Sequence, residues 1–387
     1  KKPQRCALPK KGVVCAPLML YIICMDSVFS SRLARIEASL ENALASDAAW
    51  KFASFGSLSS GVRDTHIDCL TDPCKSLIAL GGKRWRPLLL VLCAEHARAF
   101  YGSRAILTED ETYSLAPLVE FVHTASLIHD DIEDSSDMRR GKPAAHISYG
   151  IDAALNAASW LYFEAPVCID RLTASPEVKA KLYALYANEV RRLHLGQAAD
   201  ILWHKNRELF PSIEEYSAMV QNKTGTLASL AAKAGTLAGG GTDEEIERAG
   251  KTAAEIGEAF QILDDVQNLT TGNPGKKRGD DIVEGKKSLP VLLHIESHPE
   301  DKARIARFFA EAHDGGIDSP AVEACISLLE QSGAVESAFE KGKTLVREKS
   351  AELASLYGAS GEDTTPQPII DLFASMIKKQ ETDKKHA

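Results

Sequence analysis

The sequence predicts an all-α protein, a single domain built around a central helical bundle. Apolar residues recur at three- and four-residue spacing along most of the 387-residue chain, which is the period of an amphipathic helix. Alanine and leucine, two strong helix formers, are abundant, whereas aromatic residues make up only 6% of the chain. No segment shows the sustained apolar–polar alternation that is typical of a strand.

The first predicted helix runs over 31–49, where Leu33, Ile36 and Leu40 mark its apolar face. Residues 51–74 are rich in Ser, Gly and Asp and are predicted to form a loop. Periodic stretches predict further helices at 151–171, 176–205, 212–238, 243–270, 286–297, 300–313, 319–332, 334–357 and 366–379.

Residues 1–28 combine basic side chains with an apolar run over 12–25 that Pro17 interrupts. The run is shorter than the roughly 20 residues that cross a bilayer, and no clear cleavage site follows it. We expect this segment to lie outside the fold, which leaves 29–387 as the folded domain. A weak membrane or targeting element is the alternative.

Composition excludes several classes of function. The 54 acidic residues outnumber the 45 basic ones and give a net charge of −9, so a nucleic-acid partner, which needs a basic face, is not expected. The eight cysteines form no C-x-x-C pair and no tight cluster with histidine. This pattern predicts neither a disulfide framework nor a zinc site, and reduced thiols favour a cytoplasmic location.

The stretch LIHDDIEDSSDMRRGK carries three carboxylates, Asp130, Asp131 and Asp134, near the end of a predicted helix. Asp130 and Asp134 are four residues apart and therefore lie about 40° apart on one helix face. Two anions held together favour a cation, and hard oxygen ligands of this kind suit Mg²⁺ with substrate phosphates. Arg139 and Arg140 follow as forked donors for phosphate. A solvated acidic helix end is the alternative.

The same arrangement occurs a second time in FQILDDVQN. Asp264, Asp265 and Asn268 repeat the i, i+1, i+4 spacing after another apolar helical run. Two acidic helix faces, with lysine and arginine dispersed around them, predict a clamp of three metal ions around a diphosphate. The repetition weakens the alternative of a solvated surface.

A group of cations precedes the first acidic stretch. Gly81 and Gly82 are predicted to open a helix whose first turns carry Lys83, Arg84 and Arg86. Lys83 and Arg86 share one face, three residues apart. Cations at a helix N-terminus oppose the helix macrodipole, so another interaction has to account for them. A bound diphosphate is one explanation and solvation is the other.

Six motifs in a fixed order resemble those of the trans-isoprenyl diphosphate synthases. They are GGKRWRP at 81–87, HDDIEDSSDMRRGKP at 129–143, GQAAD at 196–200, KTG at 223–225, FQILDDVQN at 260–268 and GKKRGDDIVEGKKSLP at 275–290. Asn268 stands where many relatives have a third Asp, which resembles the eukaryotic-type geranylgeranyl diphosphate synthases. The resemblance implies the isoprenoid-synthase helical bundle around a central cavity, and a homodimer.

The resemblance also implies a reaction and a cofactor. An allylic diphosphate (dimethylallyl, geranyl or farnesyl) ionises, isopentenyl diphosphate attacks the carbocation, and loss of a proton leaves a longer chain. Mg²⁺ and cationic side chains would stabilise the leaving diphosphate. By motif position, Asp130 and Asp134 would carry two Mg²⁺ and Asp264 the third, with Asp131 and Asp265 in supporting positions.

Motif position implies the substrate ligands in the same way. The expected ligands of isopentenyl diphosphate are Lys83, Arg86, His123 and Arg140. The expected ligands of the allylic diphosphate are Arg139, Lys223, Lys276 and Lys286, with Thr224 and Gln261 offering oxygens near the developing cation. The alternatives are a packed helix histidine at His123 and solvated loop lysines at Lys276 and Lys286. Gln197 and Asp200 are interpreted as simple polar contacts outside the site.

Product length depends on what lies below the carboxylates. Ala125 and Ser126, about one turn before the first carboxylate, are small and leave a tunnel open. In the subgroup resembled, an aromatic pair and a histidine close the tunnel, and the matching positions are Tyr162, Phe163 and His194. These three are ordinary core residues in the alternative interpretation. We predict geranylgeranyl diphosphate, with a longer all-trans product second, and weak membrane association of the products.

Two other classes of protein share parts of this pattern. A terpene cyclase has the fold and the metal clamp but does not need the isopentenyl site, so GGKRWRP and His123 argue against it. A non-catalytic partner subunit typically loses acidic residues, whereas both motifs here keep their leading Asp pairs.

Overall fold

The computed structural model describes residues 16–272, 277–358 and 367–386, with side chains described at 29–272, 277–358 and 367–377. Its architecture is all-α, as the sequence predicts. Within the described residues, nineteen α-helices follow in order: α1 (Ala16–Ala43), α2 (Ala48–Phe55), α3 (Asp64–Ile78), α4 (Trp85–Tyr101), α5 (Glu109–Ser114), α6 (Ala116–Glu133), α7 (Ala145–Tyr149), α8 (Ile151–Glu164), α9 (Val167–Asp170), α10 (Pro176–Lys205), α11 (Ile213–Val220), α12 (Thr226–Ala238), α13 (Asp243–Thr270), α14 (Asp280–Glu284), α15 (Leu289–Ser297), α16 (Lys302–Gly315), α17 (Pro320–Gln331), α18 (Ala334–Ser355) and α19 (Gln367–His386).

Helix α12 lies at the centre of the bundle. All of its residues are buried, and it packs against α4, α6, α10 and α13. A helix that is covered on every side belongs in a core. Small residues let its neighbours approach closely, since a side chain at Gly235 would overlap the carbonyl oxygen of Leu90 on α4. All four of these neighbouring helices carry polar side chains that line the cavity described below.

Helices α10 and α13 begin and end where the sequence predicts. The Ser175 hydroxyl accepts a hydrogen bond from the N–H of Val178 at the start of α10. Thr242 and Glu245 form a capping box at the start of α13. These side chains satisfy N–H groups that the first helical turn leaves without a partner, so local chemistry fixes both starts.

The loop predicted over 51–74 is wrong, because α2 and α3 occupy most of it. Asp47 caps α2 by accepting the N–H of Trp50 at 2.7 Å, and the Trp50 indole donates to Glu164 on α8 at 3.0 Å. On α3, Cys74 is fully buried against α8. The composition of 51–74 is dominated by polar residues, so the few buried contacts that hold α2 and α3 in place cannot be recognised from it.

Other helices also differ from their predicted bounds. Helix α1 begins at Ala16, well before the predicted start at 31. A π-helical turn, Gln221–Gly225, interrupts the helix predicted over 212–238. Pro166 separates α8 from α9 within the stretch 151–171. The sequence period continues across both interruptions, so periodicity alone does not show them.

Arg84 sets the start of α4. It adopts a φ of +46°, which a helix cannot accommodate. Its buried guanidinium lies 2.7 Å from Glu37 and 2.6 Å from Glu120. Helix α4 therefore begins at Trp85, and the prediction that Lys83 lies in the first helical turn is wrong.

A short antiparallel hairpin follows α6. Strand β1 (Met138–Arg139) pairs with β2 (Lys142–Pro143). The two turn residues, Arg140 and Gly141, have φ values of +51° and +73°, as in a type I′ turn. Because Arg139 lies in a strand and Arg140 in the turn, the two neighbouring side chains have different partners.

Two absences concern the described parts of the chain. None of the helices there is long and apolar enough to cross a membrane. No disulfide joins the described cysteines, which are Cys69, Cys74, Cys93, Cys168 and Cys325. The division between 1–28 and 29–387 stays a prediction.

Candidate active site

A cavity of about 500 Å³ opens beside the C-terminal end of α6 and is bounded by α10, the π-helical turn, α12 and α13. Asp130 of the first acidic motif and Asp264 of the second both line it. Apolar side chains, among them Leu127 and Leu227, line other parts. The cavity therefore combines a charged region with an apolar one, which suits a ligand with a charged head and an apolar tail.

The first acidic motif is paired with two lysines from distant parts of the chain. Lys223 Nζ lies 3.3 Å from Asp130 Oδ1, and Lys286 Nζ lies 3.8 Å from Asp134 Oδ2. Burial opposes the charged form of Asp130, but the two ammonium groups outweigh it and hold the pKa of its carboxyl well below the usual range. Burial raises the pKa of Asp134, with Lys286 opposing the shift. Asp130 is thus ionised and available to a cation.

Asp131 holds the hairpin in place. It is almost fully buried, and Arg139 Nε donates to its Oδ1 at 2.8 Å. One residue after Asp130, it lies about 100° further around the helix. Its Oδ2 is buried with no hydrogen-bond partner among the described atoms. This geometry is compatible with the supporting position that the motif implies.

Gln197 and Asp200, which the sequence interpretation left outside the site, lie inside it. Lys223 Nζ is 2.6 Å from Asp200 Oδ2, and Gln197 Nε2 donates to Asp130 Oδ1 at 3.1 Å. Both side chains line the cavity from α10. Their spacing of three residues within GQAAD places them on one helix face, and this is the signal that could have identified them.

The two carboxylates of the second motif differ in exposure. Asp264 is exposed and lines the cavity, whereas Asp265 is almost fully buried. Asp265 accepts hydrogen bonds from the Tyr216 hydroxyl at 2.7 Å and the Leu289 N–H at 3.2 Å. Burial raises the pKa of Asp265 to about 6, although its donors oppose the shift. Asp264 is therefore the carboxylate of this motif that can meet a ligand.

Asn268 fastens the loop that follows α13. The side chain is fully buried, and its Oδ1 accepts the N–H of Asp281 at 3.2 Å. Its backbone carbonyl accepts the N–H of Gly279 at 2.9 Å. Gly279 has a φ of +86°, a conformation that favours glycine. Asn268 thereby secures the start of α14 and the chain leading to Lys286.

Thr224 and Gln261 form a hydrogen-bonded pair between the π-helical turn and α13. The Thr224 hydroxyl donates to Gln261 Oε1 at 3.0 Å, and Gln261 Nε2 donates to Asp265 Oδ1 at 3.0 Å. The hydroxyl proton of Thr224 is thus committed to this chain of bonds. Its oxygen lone pairs stay available in the cavity, where they can interact with positive charge.

A second group of cations lines the cavity from the start of α4 and from the hairpin: Lys83, Arg86 and Arg140. Arg86 Nη1 lies 3.5 Å from Nε2 of His123. Burial lowers the pKa of Arg86 to about 10; Glu120 opposes this shift and Arg140 adds to it. Burial and the nearby arginines hold the pKa of His123 well below its ordinary value, so the ring is neutral at pH 7. A bound anion would relieve the repulsion among these cations.

Arg139 and Arg140 take different partners, as the hairpin requires. Arg139 donates to Asp131, whereas Arg140 Nη1 donates to the carbonyl oxygen of Gly81. A side chain at Gly82 would crowd the Arg140 guanidinium, so the close approach depends on glycine there. Arg139 therefore lies with the acidic motif and Arg140 with the cations at the start of α4.

Lys286 is not a solvated loop lysine. Its Nζ lies 2.5 Å from Glu284 and 3.7 Å from Asp281, in addition to its contact with Asp134. Burial would lower its pKa, but these carboxylates outweigh burial and raise it well above its ordinary value. Its charge is therefore retained at neutral pH. Lys276, the other lysine expected in this loop, lies outside the described residues.

The residues expected to set chain length divide into two groups. Tyr162 lines the cavity with His194, and their ring centroids are 5.1 Å apart. Ser126 also lines the cavity, whereas Ala125 is fully buried in the core. Phe163 is 78% exposed, so the expectation that it closes the tunnel of its own subunit is wrong. It follows Tyr162 directly on α8 and points about 100° away from it.

The carboxylates around the cavity fit Mg²⁺. Asp130 and Asp264 line the cavity, whereas Asp134 lies behind its lining, 3.8 Å from the lining residue Lys286. All three offer hard oxygen donors, which is the ligand type that Mg²⁺ prefers. Among the described residues, no three His, Cys, Asp or Glu side chains converge into a complete site. Diphosphate oxygens would therefore have to complete the coordination, as is usual where Mg²⁺ binds with a phosphorylated substrate.

The all-α bundle, the two acidic helices and the surrounding cations define a class of enzyme that binds diphosphates. The chain matches the family model described as polyprenyl synthetase over residues 67–325, and it belongs to that family. The chain is accordingly a prenyl-transferring enzyme.

Similar proteins carry related names. The chain is 31% identical over 323 residues to the short chain isoprenyl diphosphate synthase of Methanothermobacter thermautotrophicus, covering 83% of this chain and 93% of that protein. It is 30% identical over 317 residues to a geranylgeranyl pyrophosphate synthase of Epichloe festucae, covering 81% and 88%. The crystal structure of a polyprenyl synthase from Caulobacter crescentus, complexed with calcium and isoprenyl diphosphate, is similar with a TM-score of 0.70 at 25% identity, covering 92% and 97%.

Proposed function

We propose that the protein is a magnesium-dependent all-trans prenyltransferase that joins isopentenyl diphosphate to an allylic diphosphate and makes geranylgeranyl diphosphate. The observation that carries the proposal is the cavity into which both acidic helices project, with one group of cations beside the carboxylates and another at the start of α4. Two groups of cations suit two diphosphates. The similarity to a geranylgeranyl pyrophosphate synthase supports the choice of product.

The allylic diphosphate would lie between the acidic motifs. Asp130, Asp134 and Asp264 would hold three Mg²⁺, which would neutralise charge on the departing diphosphate. Lys223 and Lys286 already lie at the carboxylates of the first motif, so their ammonium groups can contact diphosphate oxygens once metal ions take over those carboxylates. Arg139 adds a guanidinium on the same side.

Isopentenyl diphosphate would bind without metal at the second group of cations. Arg86 and Arg140 supply permanent charge, and Lys83 lines the same part of the cavity. The neutral ring of His123 can donate one hydrogen bond to a phosphate oxygen without adding to the repulsion among the cations. This arrangement keeps the nucleophilic substrate separate from the metal ions.

After ionisation, the allylic carbocation would lie near the pair formed by Thr224 and Gln261. The Thr224 oxygen has its lone pairs free, because its proton is donated to Gln261 at 3.0 Å. Because such dipoles are already oriented before the reaction, they stabilise charge that develops in the transition state without a change in their own positions. The proton that is then lost would pass to an oxygen of the departing diphosphate.

Tyr162 and His194 would close the tunnel and limit the product to geranylgeranyl diphosphate. A longer all-trans product is the second candidate, and one observation favours it. Phe163 faces away from the cavity, so one of the two aromatic rings that were expected to close the tunnel does not block it.

A homodimer is part of the proposal. Helices α8 and α10 expose large apolar side chains, with exposed fractions of 59% for Ile151, 47% for Leu155 and 63% for Leu195. Exposed apolar groups in this number mark an interaction surface. Light scattering at micromolar concentration should give twice the 41.9 kDa of one chain, and a monomeric mass would contradict the dimer.

A two-substrate assay tests the function. Purified protein is incubated with isopentenyl diphosphate and each allylic diphosphate, with Mg²⁺ or with a chelator, and the products are identified by mass spectrometry. We expect a C20 diphosphate that forms only with both substrates and the metal. A hydrocarbon from the allylic substrate alone would indicate a terpene cyclase, and no product from any pair would indicate a non-catalytic subunit.

A further inference from the structure

We propose that Glu189 is a positioning residue for the allylic substrate: its carboxylate fixes the π-helical turn, Gln221–Gly225, that presents Lys223 and Thr224 to the cavity. Glu189 lies on α10, is almost fully buried and belongs to none of the six motifs. It does not line the cavity formed by the described residues. The inference rests on the proposed roles of Lys223 and Thr224.

The π-helical turn is held between α10 and α13. A π-helix is rare because its wider turn is less favourable than an α-helical one, so its surroundings must support it. On one side, Gln221 Nε2 donates to Glu258 of α13 at 2.7 Å. On the other, Arg192 Nε of α10 donates to Asn222 Oδ1 at 3.1 Å. The turn is therefore tethered to both neighbouring helices.

Glu189 secures the end of this turn. Thr226 is the first residue after the turn, and its hydroxyl lies 2.5 Å from Glu189 Oε2 and 2.9 Å from the backbone carbonyl oxygen of Glu189, so both acceptors belong to the same residue. The other carboxylate oxygen, Oε1, lies 3.0 Å from Lys233 Nζ, 3.3 Å from the Ser229 hydroxyl and 3.5 Å from Arg192 Nη1. One carboxylate thus connects the start of α12 to the arginine that binds the turn.

Two glycines bring the turn close to its supports. A side chain at Gly196 of α10 would overlap the backbone nitrogen of Lys223. A side chain at Gly257 of α13 would overlap the Cα of Gly225. The turn cannot move towards either helix, so loss of the contact between Thr226 and Glu189 would shift the end of the turn along the cavity. Such a shift would carry Lys223 Nζ away from Asp130.

Thr226→Val removes the tether while keeping the shape of the side chain and the pair between Glu189 and Lys233. Thr236→Val is the matched control, because Thr236 is equally buried on α12, and its hydroxyl lies 2.7 Å from that of Tyr357. Both variants lose one buried hydroxyl, but the turn adjoins only the first.

We expect Thr226→Val to lower kcat/KM for the allylic diphosphate roughly tenfold or more, because a displacement of about 1 Å can cost on the order of a hundredfold. The KM for isopentenyl diphosphate should not change. Thr226→Ser, which restores the hydroxyl, should restore the rate. Glu189→Gln, which loses the charge but keeps an acceptor for Thr226, should show a smaller loss of the same kind. Thr236→Val should keep both parameters.

Hydrogen exchange of the amides in 219–227 reports on the turn independently of activity. Exchange should speed up in Thr226→Val and not in Thr236→Val. Unchanged exchange in Thr226→Val, or equal changes in both variants, would overturn the proposal. If Lys223→Ala impairs turnover and Thr226→Val does not, the role of Glu189 fails alone. If Lys223→Ala is kinetically silent, the proposed function of Lys223 fails, and the inference fails with it.

Discussion

Asp130→Asn tests the acidic motif where its contacts are best defined. Asp130 accepts a hydrogen bond from Gln197 at 3.1 Å and lies 3.3 Å from Lys223. The substitution keeps the size of the side chain and one oxygen but removes the negative charge. Loss of a preorganised group that stabilises the transition state costs about 2.7–4 kcal/mol, so we expect kcat to fall roughly 10²- to 10³-fold.

The same substitution should cost little folding free energy. Lys223 keeps its contact with Asp200 at 2.6 Å, so its ammonium is not left without a carboxylate. The side chains of Asp130 and Lys223 are 22% and 23% exposed, so solvent partly screens their ion pair and its loss should cost on the order of 1 kcal/mol. In a domain of this size, 1 kcal/mol shifts Tm by at most about 4 °C. A large change in activity with a small change in Tm is therefore the expected signature.

The assay measures initial rates at saturating substrate over a series of Mg²⁺ concentrations. Asp64→Asn is the control, because Asp64 is an exposed aspartate that lies 2.6 Å from Lys51, far along the chain from either motif. The control should keep the rate of the unsubstituted protein at every Mg²⁺ concentration. Near-normal turnover of Asp130→Asn at low Mg²⁺ would refute the assignment of this carboxylate to the metal.

Three further predictions concern the substrates, the product and pH. Arg86→Ala should chiefly raise the KM for isopentenyl diphosphate, whereas Lys223→Ala should act on the allylic substrate or kcat; the reverse pattern in substrate-titration kinetics would contradict the two sites. Tyr162→Ala should lengthen the product measured by mass spectrometry, and Phe163→Ala should not, because only Tyr162 lines the cavity. Burial raises the pKa of Asp265 from 3.8 to about 6, so its protonated form stabilises the fold below about pH 3.8, and this contribution is lost as pH rises through 6. With a chelator present, the unfolding free energy relative to Asp265→Asn should fall by about 3 kcal/mol over that range, and a constant difference would count against it.

The sequence predicts those parts of the site that depend on local helical geometry. Asp130 and Asp134 share a face because four residues make about one turn, whatever the rest of the chain does. The pair between Lys223 and Asp200 is different, since it exists only because α10 packs against the π-helical turn. The spacing of Gln197 and Asp200 shows only that they share a helix face, and the sequence does not show that Lys223 packs against that face.

Phe163 shows how far local helix geometry constrains a side chain. Neighbouring residues on a helix point about 100° apart, so Tyr162 and Phe163 face different directions. Which of the two faces inward depends on how α8 is rotated against α6 and α10, and the sequence does not specify that rotation. The ring stacking of Tyr162 on His129, with centroids 5.6 Å apart, decides it in the fold.

The hairpin after α6 limits the insertions and deletions that the polypeptide can accept at this point. Surface turns usually tolerate an inserted or deleted residue, because their side chains contact mainly solvent. Here the turn at Arg140 and Gly141 separates two guanidiniums that serve different substrates in the proposed site. Deletion of one arginine would leave a single guanidinium where the contacts to Asp131 and to Gly81 need two. Insertion of a residue would move one of the two guanidiniums away from its partner. This turn should therefore resist natural and engineered length variation as strictly as a buried segment does.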